Sequence, residues 1–536
     1  MTPKRIFLGF LTIVAIAILA LSLAESWNQP QIQSRLELYQ TNLLLQASEW
    51  RGEEVEISRS PQTSETTVVN PLRTALLGSD PIKNGLEEYQ EVRASAQKNL
   101  AKTEVRLEKL HQQATSQTAP SIAPDRQVKT ELQELQQTLN RLEKLIAELD
   151  LRLGLLQIEQ KQVAAALKTW DGVISRFQNQ PQLLTLTHTA EILKGLWQNP
   201  PQLLPDAEPL LKQNLDSWFR HKALFRLYDL SQREDSLITL LATEQVMARQ
   251  AISKLTIVGS IPALGFLIGV GLLIFLLIQW VTQGKESLLG RYGDQPWTTP
   301  WSGETIWQVF IVGFFLTGQI LVPYLILPIV LKLLNLEPAT FDERTRAFSI
   351  LLSYALLALG GIAVLYWSLQ PFLPLPEGWF RFKVRENWFW WGLGGYLVAL
   401  PLVILVSLLN QLIWQGQGGS NPILPIALEG RDGTALLIFF LTASVAAPLF
   451  EEFMFRGFLL PSLTRYLSVR GAIVASSLLF AIAHLSLSEI LPLATLGMIL
   501  GVVYTRSRNL LAPMLLHSLW NSGTLLSLYI LGSGAR

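Results

Sequence analysis

The stretch LTIVGSIPALGFLIGVGLLIFLLIQWV, residues 255–281, holds no charged side chain along its whole length. As an α-helix rising about 1.5 Å per residue it reaches about 40 Å, more than the roughly 30 Å of a bilayer's hydrocarbon core. A helix is the form such a segment must take in lipid, because it satisfies every backbone N–H and C=O internally. Outward from it, apolar runs near 305–331, 347–368, 388–414, 433–455, 471–487, 489–505 and 509–531 follow one another to the C-terminus. A further run, IFLGFLTIVAIAILALSLA at 6–24, stands behind Lys4 and Arg5. The expected fold is all-α, a polytopic helical membrane bundle of about nine spans including an N-terminal anchor. Ser22-Leu23-Ala24 also offers small residues of the kind a signal peptidase reads. The run is longer than a signal peptide's apolar region of about 7–15 residues, so segment 1–24 reads as a retained anchor.

Composition agrees. Of 536 residues, 49% are hydrophobic and only 16% charged, against about 25% charged in soluble domains. Mean hydropathy is +0.29. Lys and Arg number 43 against 42 Asp and Glu, and without a basic excess a nucleic-acid partner is not expected. The chain has no cysteine, which excludes disulfides, thiolate metal sites and thiol nucleophiles. Sixteen tryptophans suit many membrane–water boundaries.

Orientation follows from Lys and Arg in the short loops. With the N-terminus cytoplasmic, twelve of them, Arg456 included, fall inside and four (Lys332, Arg344, Arg346 and Arg431) outside. The expected topology therefore places residues 25–253 on the extracytoplasmic side of a plasma or internal membrane. That region reads as an inserted, exported helical domain. Val128, Leu132, Leu135, Leu139, Leu142, Ile146, Leu149, Leu153 and Leu156 recur in steps of three and four between polar positions, a heptad seam. With the amphipathic 85–112 stretch before it, a coiled-coil hairpin over about 85–170 is the simplest solution, and self-association or a protein partner through it the alternative. His111, His188 and His221 are scattered there without ligand spacing.

The last hundred residues carry ionisable groups inside apolar segments, where they are costly and hence functional candidates. They are Glu451-Glu452-Phe-Met-Phe-Arg456, Phe480-Ala-Ile-Ala-His484 and His517-Ser-Leu-Trp-Asn521. Glu452 and Arg456, four apart, share a helix face and should pair. Glu451 is rotated about 100° from Glu452 and left without that partner, the condition for a general base. His517 and Asn521 also share a face and can both donate to a developing oxyanion. His484, from a separate segment, can orient the attacking water.

This constellation resembles the CPBP family, also called the Abi or type II CAAX prenyl endopeptidase family, of glutamate-dependent intramembrane proteases. The family's Glu-Glu-x-x-x-Arg is matched by Glu451, Glu452 and Arg456, its Phe-x-x-x-His by Phe480 and His484, and its His-x-x-x-Asn/Asp by His517 and Asn521. The resemblance covers about 387–536, leaving 254–386 as accessory transmembrane helices and 25–253 as an added domain. It implies that Glu451 and His484 activate water, that His517 and Asn521 form the oxyanion hole, and that Glu452, Arg456 and Phe480 support the site. The substrate expected is a membrane-associated or lipidated protein or peptide, met in a lipid environment. A metal-independent mechanism without cofactor is favoured; a metal, if used, would be zinc on Glu451, His484 and His517. The alternative is a non-proteolytic membrane scaffold or regulator acting through its exported coiled coil.

Overall fold

A computed structural model describes residues 2–27, 31, 33–51, 77–78, 80–116, 124–414, 418–421 and 423–533. Among these, every regular element is helical. The chain divides into two compact units, one of Met1–Gln33 with Val258–Gly532 and one of Ser34–Ile257 with Ser533–Arg536.

The first unit is a polytopic helical bundle. Among the described residues, seven helices are long and apolar enough to cross a membrane: Pro3–Ser26, Glu234–Glu286 (part of this unit from Val258 on), Gly303–Leu333, Glu343–Phe372, Trp388–Trp414, Gly433–Leu463 and Leu487–Ser507. The other two expected spans are also helical but differ. Val469–Ile482 has 14 residues, about 21 Å and short of a full crossing. Leu511–Gly532 has 22 residues, and its hydropathy is diluted by His517, Ser518, Asn521 and Ser522.

The first helix is bonded to the rest of this bundle near both ends. Arg5 and Lys4 pair with Glu304 at 2.8 and 3.1 Å. Trp307 Nε1 donates to Thr12 Oγ1 at 2.7 Å, and Ser26 Oγ donates to Gly418 O at 2.7 Å. Helices approach closely where side chains vanish: a Cβ on Gly269 would lie 2.0 Å from Leu397 O. The core beside the site is aromatic, with Trp301, Phe455, Phe458, Phe480 and Tyr504 fully buried.

One boundary moves. The span expected to end at 455 continues to Leu463. Arg456 is therefore no loop cation of the cytoplasmic side. It is 0% exposed and paired within the helix. Its removal from the topology tally leaves eleven inner cations against four. Glu451, expected near the inner end of its span, has twelve helical residues beyond it, about 18 Å, and so lies well inside the bundle.

In the second unit, helices Pro81–Ser116 and Pro124–Glu159 pack on one another. Arg93 pairs with Asp150 while Ala96 and Leu100 cluster with Ile146, so the numbering rises on one helix as it falls on the other and the two are antiparallel. Ile146, Leu149, Leu153 and Leu156 are buried, with Ala96 and Leu100 facing Ile146. The seam is thus filled within the chain over this stretch; the Val128 side chain lies outside the described residues. Gly154 is needed where it stands, since a Cβ there would meet Trp170 Nε1 at 2.2 Å. His221 is a satisfied core residue, its Nε2 bonded to Leu240 O at 2.7 Å.

Candidate active site

The Gly433–Leu463 helix presents its two adjacent glutamates to different surroundings, as a rotation of about 100° per residue requires. Glu452 turns inward. Its Oε1 accepts Arg456 Nη1 at 2.7 Å, and both side chains are 0% exposed. Arg456 Nη2 donates to Gly497 O at 3.2 Å, and the guanidinium lies 4.5 Å from the Phe480 ring centroid. The same Glu452 oxygen receives His517 Nδ1 at 2.8 Å, a contact across 65 residues that no helical spacing foretells.

Glu451 turns the other way. Tyr354 Oη donates to its Oε1 at 3.2 Å, while its buried Oε2 has no hydrogen-bond partner. A buried oxygen left open in this way is costly unless something arrives to use it.

His484 lies just past the end of Val469–Ile482, where Leu485 takes a left-handed conformation (φ +58°) and turns the chain. A branched residue there is strained, as is common beside functional groups. His484 Nδ1 bonds Phe480 O at 2.8 Å. A carbonyl only accepts, so Nδ1 carries the hydrogen and a neutral ring has its lone pair on Nε2. Phe480 meets His484 and His517 edge-on, at 4.8 and 5.7 Å between centroids.

The wide helical turn Thr442–Ala446 explains the placement of Asn521. Such a turn frees carbonyls from the ordinary helical pattern. Two of them are taken by the facing helix: Asn521 Nδ2 donates to Ala443 O at 2.8 Å, and Ser518 Oγ to Ser444 O at 2.5 Å.

Glu451, His484, His517 and Asn521 line one cavity of about 320 Å³. The four expected catalytic residues are thus brought together, while Glu452, Arg456 and Phe480 stand behind its wall. Two further lining residues escaped the sequence reading. Tyr354 belongs to Glu343–Leu369, in the segment expected to be accessory. It was detectable only as a lone hydroxyl in an apolar helix. Glu489 was read as the first residue of a span; it lines the cavity and its Oε1 accepts Asn421 N–H at 2.8 Å.

Among the described residues, no three His, Asp or Glu side chains converge as a metal-ligand group. His517 Nδ1 and His484 Nδ1 are engaged by Glu452 and Phe480 O, which leaves Nε2 of each ring for any further ligand. What the cavity does hold is an open carboxylate oxygen, an imidazole with an available nitrogen, and an imidazole–amide pair on a third element. That inventory can activate water and stabilise an oxyanion.

Residues 433–523 match the family model described as type II CAAX prenyl endopeptidase Rce1-like. The membrane-embedded CAAX protease MroQ of Staphylococcus aureus (strain USA300) is 28% identical over 137 residues, 24% of this chain and 54% of MroQ. The chain thus spans about half the length of this curated relative. No solved structure matches it significantly. All seven motif residues fall within the matched interval, and both matches support the resemblance of this region to the CPBP, or CAAX-protease-like, family.

Proposed function

We propose that the protein is an intramembrane endopeptidase that hydrolyses peptide bonds of membrane-associated or lipidated clients with a water activated by Glu451. The observation that carries this is the shared cavity, in which Glu451 Oε2 lacks a partner and His484, His517 and Asn521 join it. Water enters between Glu451 Oε2 and His484 Nε2. As its oxygen attacks the scissile carbonyl, Glu451 takes the proton, and the carbonyl oxygen becomes an oxyanion. The second N–H of Asn521 donates to that oxyanion, and so does Nε2–H of His517 as an imidazolium whose Nδ1–H stays on Glu452. The tetrahedral adduct collapses as Glu451 returns the proton to the leaving amine, which restores the carboxylate. Arg456 and Phe480 take no part in proton transfer; through Glu452 and ring contacts they hold His517 and His484 in place. Residues 25–253, on the extracytoplasmic side, recruit or regulate clients.

General-base catalysis contributes about 10²–10⁴-fold. Comparison of membrane peptidomes from cells carrying the parent or Glu451→Gln should reveal termini present only with the parent. If both forms yield the same termini, the peptidase reading fails and a scaffold role acting through the helical domain replaces it.

A further inference from the structure

Glu489 is a carboxylate in the cavity that the proposed reaction does not use. It does not cap the helix it precedes, Ile490–Ser507. One oxygen accepts Asn421 N–H at 2.8 Å. Among the described residues it forms no ion pair. The segment bearing it is held firmly: Asn410 Nδ2 donates to Ser488 O at 2.6 Å, Ser488 Oγ to Gly419 O at 2.6 Å, and Ser488 N to Gly418 O at 3.1 Å. The backbone that presents the carboxylate is therefore fixed at the cavity wall.

The cavity supplies no fixed cation. Its described lining has two carboxylates, two imidazoles and the neutral polar groups of Tyr354, Asn421, Thr442, Asn521 and Thr524 among apolar side chains, without Lys or Arg. The nearby Arg456 is fully buried and spent on Glu452 and Gly497. A desolvated carboxylate with only one hydrogen bond calls for a cationic partner.

Resting on the peptidase reading above, we infer that Glu489 is a specificity residue that receives a cationic group of the substrate, a Lys or Arg side chain or a free amine. The cavity size limits its place in the peptide. A sphere of about 320 Å³ is about 8.5 Å across, and an extended chain advances about 3.3 Å per residue. The cation therefore sits within about three residues of the bond presented to Glu451.

The test uses the full chain in detergent with amidated, internally quenched peptides. They are built on a sequence that the parent cleaves and Glu451→Gln does not. One position within three residues of the bond is varied among Lys, acetyl-lysine and Glu. The parent should favour Lys over acetyl-lysine by at least about tenfold in kcat/KM. Glu489→Gln, which keeps the Asn421 hydrogen bond, should reduce that ratio to about one, and Glu489→Lys should shift preference to the Glu peptide. A parent that cleaves Lys and acetyl-lysine peptides equally overturns the inference without help from any variant. A Lys preference that persists in Glu489→Gln also overturns it, while leaving the peptidase reading intact. If no sequence separates the parent from Glu451→Gln, both fall together.

Discussion

Replacement of Glu452 by Gln attacks the wall behind the cavity at its most heavily used atom. Glu452 Oε1 accepts Arg456 at 2.7 Å and His517 at 2.8 Å, and the Glu452–Arg456 pair is wholly buried. Gln preserves the volume and an acceptor but deletes the charge. The buried guanidinium then keeps only neutral partners, the Gln oxygen, Gly497 O and the Phe480 face. Breaking a buried pair from one side costs about 3–5 kcal/mol, because the survivor's desolvation is no longer offset. Arg456→Met should be milder, about 1–3 kcal/mol, since Glu452 retains the His517 hydrogen bond. The double variant Glu452→Leu/Arg456→Met removes both charges and exchanges the pair for apolar side chains, often a near-neutral change. It should therefore be more stable than Glu452→Gln alone, short of the parent by the lost His517 contact. Thermal unfolding in one detergent, followed by far-UV circular dichroism, reads the series. At about 2–4 °C per kcal/mol for a large domain, Glu452→Gln should melt about 6–20 °C below the parent. A Glu452→Gln protein that melts with the parent, or a double variant as unstable as the two single losses summed, would refute the reasoning that Glu452 neutralises Arg456.

Three further outcomes are expected. Tyr354→Phe removes the protein donor to Glu451 Oε1 and should lower kcat about tenfold, worth about 1.4 kcal/mol of hydrogen bonding, with KM and melting midpoint unchanged; unaltered kcat would assign Tyr354 to packing alone. Asn521→Ala should cut kcat by about 10²–10³ as an oxyanion donor is lost, whereas Ser518→Ala, one turn away and bonded only to Ser444 O, should leave single-turnover rates intact; equal losses in both would contradict the assigned roles. In the helical domain, burial foremost, then the Glu37 and Glu91 carboxylates, pushes the Glu88 carboxyl from an ordinary 4.5 up to about 7. The folded state thus holds this proton more tightly than the unfolded one, so Glu88 makes stability fall as pH rises from about 4.5 to about 7 and stay lower above. Glu88→Gln should raise the melting midpoint at pH 8 and leave it nearly unchanged at pH 4.5, and a gain of equal size at both pH values would exclude this titration.

The sequence made the helices and the local pairs legible, and for one reason: both are set by spacing along a single element. Glu452 with Arg456, and the opposite aim of Glu451, follow from 3.6 residues per turn. The contacts that join elements were hidden. His517 reaches Glu452 across 65 residues and Tyr354 reaches Glu451 across 97, and composition along a helix holds no record of such partners. The misplaced end of the Gly433–Leu463 helix has the same origin. A lone arginine reads as the border of a span because an unpaired cation belongs at the interface. Arg456 is tolerated deep in the bundle only because Glu452 lies one turn before it, so the pair that was legible should have cancelled the border that was inferred from it. The buried pair also accounts for the two glutamates side by side. One carboxylate must neutralise the arginine and hold His517, and the other must stay without a cation so that its open oxygen can take a proton. Adjacent positions on a helix are the shortest way to aim two like side chains at separate surroundings. A single glutamate at either position would meet one requirement and leave the other unmet.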